Sequence, residues 1–335
     1  MVGSYGLIGC GGAGASGAAA TATYLGTQRP GDVWSWTLNA DTFTATNSTL
    51  GYTYSGTKST LSTGFLKLTI TSTNDPGVTV GQSAYALEYP NTALIIKPMG
   101  ADTRPPIFAG SLGSNPAGPT VTFNYVKVPK NGWLSTDEAY GYVTFNVSGN
   151  NYDGTTNTYD INGNFLGNNP SQFVGNNGEM TDLNPQGGIQ TTGAMTPSGV
   201  CVLDYGPGNG GAIGVKQPAA PVDLTSLGTK SFRGYLVNQG KTQCVTVTPN
   251  GDGTLHGAGY QNPTGVETGT LDGGGGVTVT FTGQPAPGLV SIDIATSGGA
   301  EHIVAAISSV GGKFMIFGVG IDSGGSGYNV ALAEN

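Results

Sequence analysis

A period of two runs through most of this chain and limits it to one kind of fold. Trp34/Trp36/Leu38, Phe43/Ala45, Leu66/Leu68/Ile70, Val121/Phe123/Tyr125, Val143/Phe145/Val147, Val245/Val247 and Val277/Val279/Phe281 each alternate with Thr, Ser, Lys or Asn. Successive side chains of a strand point to opposite faces, so this alternation marks half-buried antiparallel strands. Turn chemistry punctuates it at Asn162-Gly163, Asn250-Gly251, Asp252-Gly253, Asp272-Gly273 and Gly311-Gly312, dipeptides suited to tight hairpins. No window beyond the first residues sustains a helical period. The expectation is an all-β chain of about 18–22 strands joined mainly as antiparallel meanders.

Composition agrees with that expectation and removes several function classes. Charged residues make up 10% of the 335, and 59 glycines with abundant Thr, Ser and Asn fill their place. Uncharged polar surface of this kind suits exposed strand faces and frequent turns. With a net charge of −8 there is no basic stripe to release counterions from phosphates, so nucleic acid is not expected as a partner. The same charge argues against an electrostatic grip on anionic lipid. No stretch approaches the ~20 apolar residues of a spanning helix.

Near the start, Leu7-Ile8-Gly9-Cys10 is followed at once by Gly11, Gly12 and a Gly/Ala/Ser run. A short apolar stretch, a small residue, a cysteine and then a flexible linker resembles the lipobox of bacterial lipoproteins. The resemblance implies cleavage before Cys10, a lipid on that residue, and an exported protein tethered to a bacterial outer membrane or cell surface. Membrane attachment would run through Cys10 only. On this reading residues 1–28 are leader remnant and tether. Gly9, Gly11 and Gly14 also satisfy G-x-G-x-x-G with Asp32 about 20 residues on. That fingerprint needs a βαβ unit, and β alternation follows instead, so no cofactor is expected.

With Cys10 assigned to a lipid, Cys201 and Cys244 remain as a pair, both in strand-like segments. In an exported protein a disulfide between them is expected, closing a loop of about 43 residues and contributing about 4 kcal/mol. The alternative is two buried free thiols.

Trp34–Thr71 runs alongside Cys244–Thr282, and each copy ends in a pair of apolar strands, Ala84–Tyr89 with Ala93–Pro98 and Ile303–Ser308 with Lys313–Val319. A fainter pair, Val200–Tyr205 with Ala212–Lys216, lies between them. We therefore expect internal duplication into two β-barrel or barrel-like domains, 29–217 (with room for two meanders) and 222–335, divided at Pro218-Ala219-Ala220-Pro221. Closure into up-and-down barrels would remove exposed strand edges. The architecture is similar to calycin-like barrels, the lipocalin and avidin type. Asn168 to Pro197, rich in Asn, Gly, Gln and Pro, reads as an irregular region.

Catalytic signals are sparse, and no catalytic or metal-binding residue is assigned. G-x-S-x-G is absent; His256 and His302 read as isolated strand histidines, and no zinc spacing occurs. Asp160-Ile161-Asn162-Gly163-Asn164 begins like a calcium loop but has Phe165 where the sharp-turn glycine belongs, so a hairpin turn is expected. Asp137/Glu138 and Glu179/Asp182 read as solvated loop acids. Trp34 and Trp36 share a strand face and read as core. Trp133, Tyr140 and Tyr142 cluster around one connection and are the candidate ligand-binding residues, able to stack on a sugar or line an apolar pocket. Three functions follow in order: a non-enzymatic surface lipoprotein that binds an apolar small molecule or a glycan; a structural or adhesive subunit, self-associating by strand addition; and a hydrolase of extracellular polysaccharide.

Overall fold

The computed structural model describes residues 21–28, 31–97, 106–116, 118–128, 138–184, 190–238, 241–249, 255–261, 267–269, 277–296, 299–322, 324–325 and 327–335. Strands dominate, as the alternation requires, and they are antiparallel throughout.

The first eight strands are β1 (Ala22–Gln28), β2 (Asp32–Leu38), β3 (Thr42–Asn47), β4 (Tyr52–Thr60), β5 (Leu66–Thr73), β6 (Ser83–Tyr89), β7 (Ala93–Lys97) and β8 (Ile107–Ser111). Each pairs with the next, and β8 returns to β1, so the sheet closes into a barrel. The second barrel repeats this with β9 (Thr120–Val128), β10 (Ala139–Ser148), β11 (Asn151–Asp160), β12 (Phe165–Asn176), β13 (Glu179–Asp182), β14 (Thr192–Met195), β15 (Val200–Asp204) and β16 (Gly211–Lys216). Here β16 closes on β9. Residues 29–217 thus contribute to two closed barrels.

The segment around Pro218-Ala219-Ala220-Pro221 leads to a short helix, α1 (Leu224–Leu227). Asp223 caps it by accepting from the N–H groups of Thr225 and Ser226 at 3.0 and 3.2 Å. A third unit follows: β17 (Phe232–Asn238), β18 (Lys241–Pro249), β19 (Leu255–Gln261), β20 (Glu267–Gly269), β21 (Val277–Ala286), β22 (Leu289–Thr296), β23 (Gly299–Val310), β24 (Lys313–Ile321) and β25 (Gly327–Glu334). It is a curled nine-stranded sheet in which β17 pairs with β25. An additional β18–β19 pairing leads the sheet back towards its own start.

Glycine lets the walls bend where an aromatic ring crosses them. Phe43 opposes Gly56, and Phe145 opposes Gly154. A Cβ on Gly56 would lie 2.6 Å from Cε1 of Phe43, and one on Gly154 would lie 2.7 Å from Cε1 of Phe145. The rings share the space of the missing side chains with the Thr69 carbonyl at Gly56 and the Ser171 hydroxyl at Gly154, and ring cover of this kind is known to rescue glycine in curved sheets.

The apolar strand pairs noted in the sequence have a common explanation. β7, β8, β15, β16 and most of β24 are buried on both faces. One face looks into its own barrel; the other joins a cluster shared by all three units, including Ile95, Phe108, Val202, Ile213, Val304 and Phe317. Strands covered on both sides lose the alternation and read as continuous apolar runs.

Three expectations need correction. Gln28 and the six residues before it are not tether: β1 is a stave of the first barrel, bonded to β2 and β8. Within the span read as irregular, residues 168–176, 179–182 and 192–195 belong to β12, β13 and β14; most of β12 faces solvent, so alternation is weak there, while Phe173, Met180 and Met195 anchor the three strands in the barrel's interior. Cys201 is a free, buried thiol rather than half of a disulfide. It lines the interior of the second barrel with Phe123 and Phe145, whereas Cys244 belongs to β18 of the third unit. Cys10 and the lipobox-like residues lie outside the described residues, as do the Asn250-Gly251, Asp252-Gly253 and Asp272-Gly273 turns.

Candidate functional site

The interior of the first barrel is lined by stacked aromatic rings. Trp34 stacks on Trp36 at 5.7 Å and on Tyr54 at 5.4 Å, and Trp36 stacks on Phe43 at 5.8 Å. Trp34 and Trp36 are core, as their shared strand face implied. The second barrel keeps an interior hollow of about 260 Å³. A larger space of about 640 Å³ opens outside the barrels, between β10 and β11 of the second and β21 to β23 of the third unit.

Tyrosines build the second-barrel side of that cleft. Residues two apart on a strand share a face, so Tyr140 and Tyr142 of β10 project together. The register of the β10–β11 hairpin sets Tyr159 directly opposite Tyr140. Their rings stack at 5.7 Å with planes 19° apart, and Tyr142 lies 6.5 Å from Tyr159 at 31°. Phe165, 56% exposed, extends the surface from Tyr159 at 5.5 Å. Burial pushes the Tyr140 hydroxyl above its ordinary pKa, with the neighbouring Tyr159 and Asp160 adding to the shift. Tyr142 is raised in the same direction, first by burial and then by its hydrogen bond with Tyr159. Both phenols are neutral donors at physiological pH.

The turn from β11 to β12 follows Tyr159 at the cleft's edge. Asp160 Oδ1 accepts from the N–H groups of Asn162 and Asn164 at 2.9 and 2.8 Å, and Oδ2 accepts from the Asn164 amide at 2.8 Å. Gly163 takes φ +85°, which the turn requires. Those bonds, the Asn164 side chain first, hold the Asp160 carboxyl below its ordinary range. The segment that begins like a calcium loop is a hairpin turn, its carboxylate occupied by its own backbone.

The opposite wall comes from the third unit. Ser291, Val304 and His302 line it with Leu289 and Ala286. His302 pairs across the sheet with Asp293, and its Nδ1 lies 2.8 Å from Asp293 Oδ1. His302 thus has an aligned carboxylate, which its place in the sequence gave no sign of, because the β22–β23 register makes the pair. Both side chains are about half exposed, and the imidazole of His302 lines the cleft with Asp293 behind it.

Of the residues expected to bind ligand, Tyr140 and Tyr142 lie in the cleft, and Trp133 falls outside the described residues. Tyr159 and His302 are functional candidates that the sequence reading missed. Glu138 is not a solvated acid: it is 1% exposed, packed where a Cβ on Gly327 would lie 2.2 Å from Oε1. Asp137 lies outside the described residues, and Asp182 lines the second barrel's hollow rather than this cleft. Comparison of the chain with protein-family models, with curated proteins and with solved structures finds no match.

Proposed function

We propose that this protein is an exported binding protein, held at a bacterial surface by a lipid on Cys10, that takes a glycan in the tyrosine cleft. The stacked pair Tyr140–Tyr159, with Tyr142 beside it, carries the reading. Tyrosine offers an apolar face and a polar tip, and a pyranose offers an apolar face of C–H groups ringed by hydroxyls. Across the cleft, the ring of His302, held at Nδ1 by Asp293, and the Ser291 side chain face the tyrosines, so hydroxyls at the sugar's edge find donors and acceptors. The cleft is also large enough for more than one sugar ring, within the ordinary range of ligand sites. The packed first barrel argues against an apolar ligand there. Strand addition lacks an acceptor edge in the first two barrels, because every stave is bonded on both sides.

Titration calorimetry with bacterial surface oligosaccharides tests the reading. Tyr142 is half-buried, so Tyr142→Ala removes a contact without opening the core. It is expected to weaken binding about 10–30-fold, the loss of a contact worth about 1.4–2 kcal/mol. Equal affinity in the variant, or no saturable binding to any member of a broad glycan panel, would falsify the glycan assignment. The mass of the native protein extracted from membranes tests the anchor: acylated Cys10 as first residue is expected, and an unmodified Cys10 within a longer chain counts against it.

A further inference from the structure

The first two barrels share a register, so their interiors can be compared position by position. Leu38↔Phe43 is the last interior pair before the β2–β3 turn, and Val147↔Tyr152 is its counterpart before the β10–β11 turn. Moving away from the turns, Trp36↔Ala45 corresponds to Phe145↔Gly154, and Trp34↔Asn47 to Val143↔Thr156. One strand further, Ala45 opposes Tyr54 while Gly154 opposes Ser171. Trp34 and Tyr54, the stacked pair that crosses the first lumen, therefore fall on Val143 and Ser171 in the second. Neither of those reaches across, and both line the hollow of about 260 Å³.

The hollow is a cup with two chemistries. Its floor is a herringbone of rings: Phe145 meets Phe173 edge-on at 5.9 Å and Phe123 at 6.4 Å. Its upper wall carries hydroxyls, among them Thr158, already bonded to the Tyr125 hydroxyl at 2.7 Å. Lys127 and Asp182 bring opposite charges to the same lining, so the cup has no net preference for an ion. An apolar cavity of about 150 Å³ suffices for benzene, and this one exceeds it by enough for a substituted ring.

We propose that the second barrel is a separate binding site for a small, neutral, monocyclic aromatic molecule bearing a hydroxyl, a phenol in its simplest form. The ring packs edge-to-face on Phe123, Phe145 and Phe173, and the hydroxyl points to the threonines above. The site is distinct from the tyrosine cleft and does not depend on the glycan reading.

Fluorine NMR of 4-fluorophenol titrated with the full chain provides the test. Saturable one-to-one binding is expected. Two plugs copied from the first barrel, Val143→Trp and Ser171→Tyr, should each weaken it at least tenfold. Ser171 lies half-buried at the mouth, so Ser171→Tyr has room to fold even where Val143→Trp does not; near-ultraviolet circular dichroism checks both. A bound signal in the wild type that disappears in a folded plugged variant supports the proposal. No saturable binding means a cup that holds only water, and equal binding in a folded plugged variant means that the phenol binds elsewhere; either result overturns it.

Discussion

Asp204 shows how one residue couples two barrels. The Thr27 hydroxyl of β1 donates to its Oδ2, and the Gly206 N–H donates to its Oδ1 at 2.8 Å. The carboxylate is 1% exposed, and burial holds its pKa above the ordinary value, although both hydrogen bonds pull the other way. Between the ordinary and the raised value the folded state keeps a proton that the unfolded chain has released. Stability therefore falls as pH rises through that window and is level above it. Asp32, also raised by burial, adds a slope of the same sign. Asp204→Asn should remove the Asp204 share of this slope in urea titrations from pH 4 to 8. Asp204→Ala, which leaves the Thr27 hydroxyl and the Gly206 N–H without their acceptor, should cost about 1–3 kcal/mol at neutral pH, more than Asp204→Asn. In the sequence Asp204 is simply the acid that ends an apolar strand. Cys201 carries the same lesson: burial pushes its thiol up to about 12, so it is an uncharged core side chain. Cysteine parity could not distinguish that from a bridge.

At the scale of elements, the staves buried on both faces distinguish two kinds of contact. On β7, Leu94 faces the first barrel's interior, whereas Ile95 faces the cluster shared with the other units. Both are at most 1% exposed, and each should lose about 2–5 kcal/mol when cut to Ala. The two losses should differ in location. Amide exchange is expected to accelerate throughout the first barrel in Leu94→Ala, and to spread to β24 and β15 in Ile95→Ala. Identical exchange patterns would refute the assignment of the two faces. The half-buried strands were legible because alternation reports one covered face, and the apolar pairs because a short apolar run between turn signals reads as a strand covered on both faces. Their partners were not: a continuous apolar run says that both faces are covered, without naming what covers them. The candidate site divides in the same way. Tyr140 and Tyr142 could be picked from their spacing on one strand. Tyr159 needed the hairpin register, and His302 is brought opposite them only by the packing of the third unit on the second barrel.

For the whole molecule, the shared cluster makes three units behave as one. Tyr235 Oη donates to the Tyr85 carbonyl at 3.0 Å and Tyr89 Oη to the Phe314 carbonyl at 3.1 Å, tying the first barrel to the third unit. Asn124 Nδ2 donates to the Pro287 carbonyl at 2.7 Å, tying the second barrel to the third unit. Val202, fully buried in the shared cluster, points away from its own barrel. Val202→Asp would place a carboxylate there without a charge partner, at a cost of several kcal/mol. The expected result is loss of a single calorimetric transition: the units separate before they unfold, and strand content survives the first step. A single transition at lower temperature, with all signals lost together, would show that the units do not fold independently.

The chain by itself determined its class, the positions of its alternating and apolar strands, and the turns at Asn162-Gly163 and Gly311-Gly312, because side-chain period and turn dipeptides act over a few residues. It also marked the two β10 tyrosines. Tertiary structure alone decided that residues 22–28 close a barrel, that Cys201 stays unpaired, that the second lumen keeps a hollow, and that tyrosines meet a His–Asp pair across a cleft. Each of those depends on which strand lies beside which, and on what covers a strand's second face. Contacts between residues far apart in the chain settle both, and local alternation does not encode them.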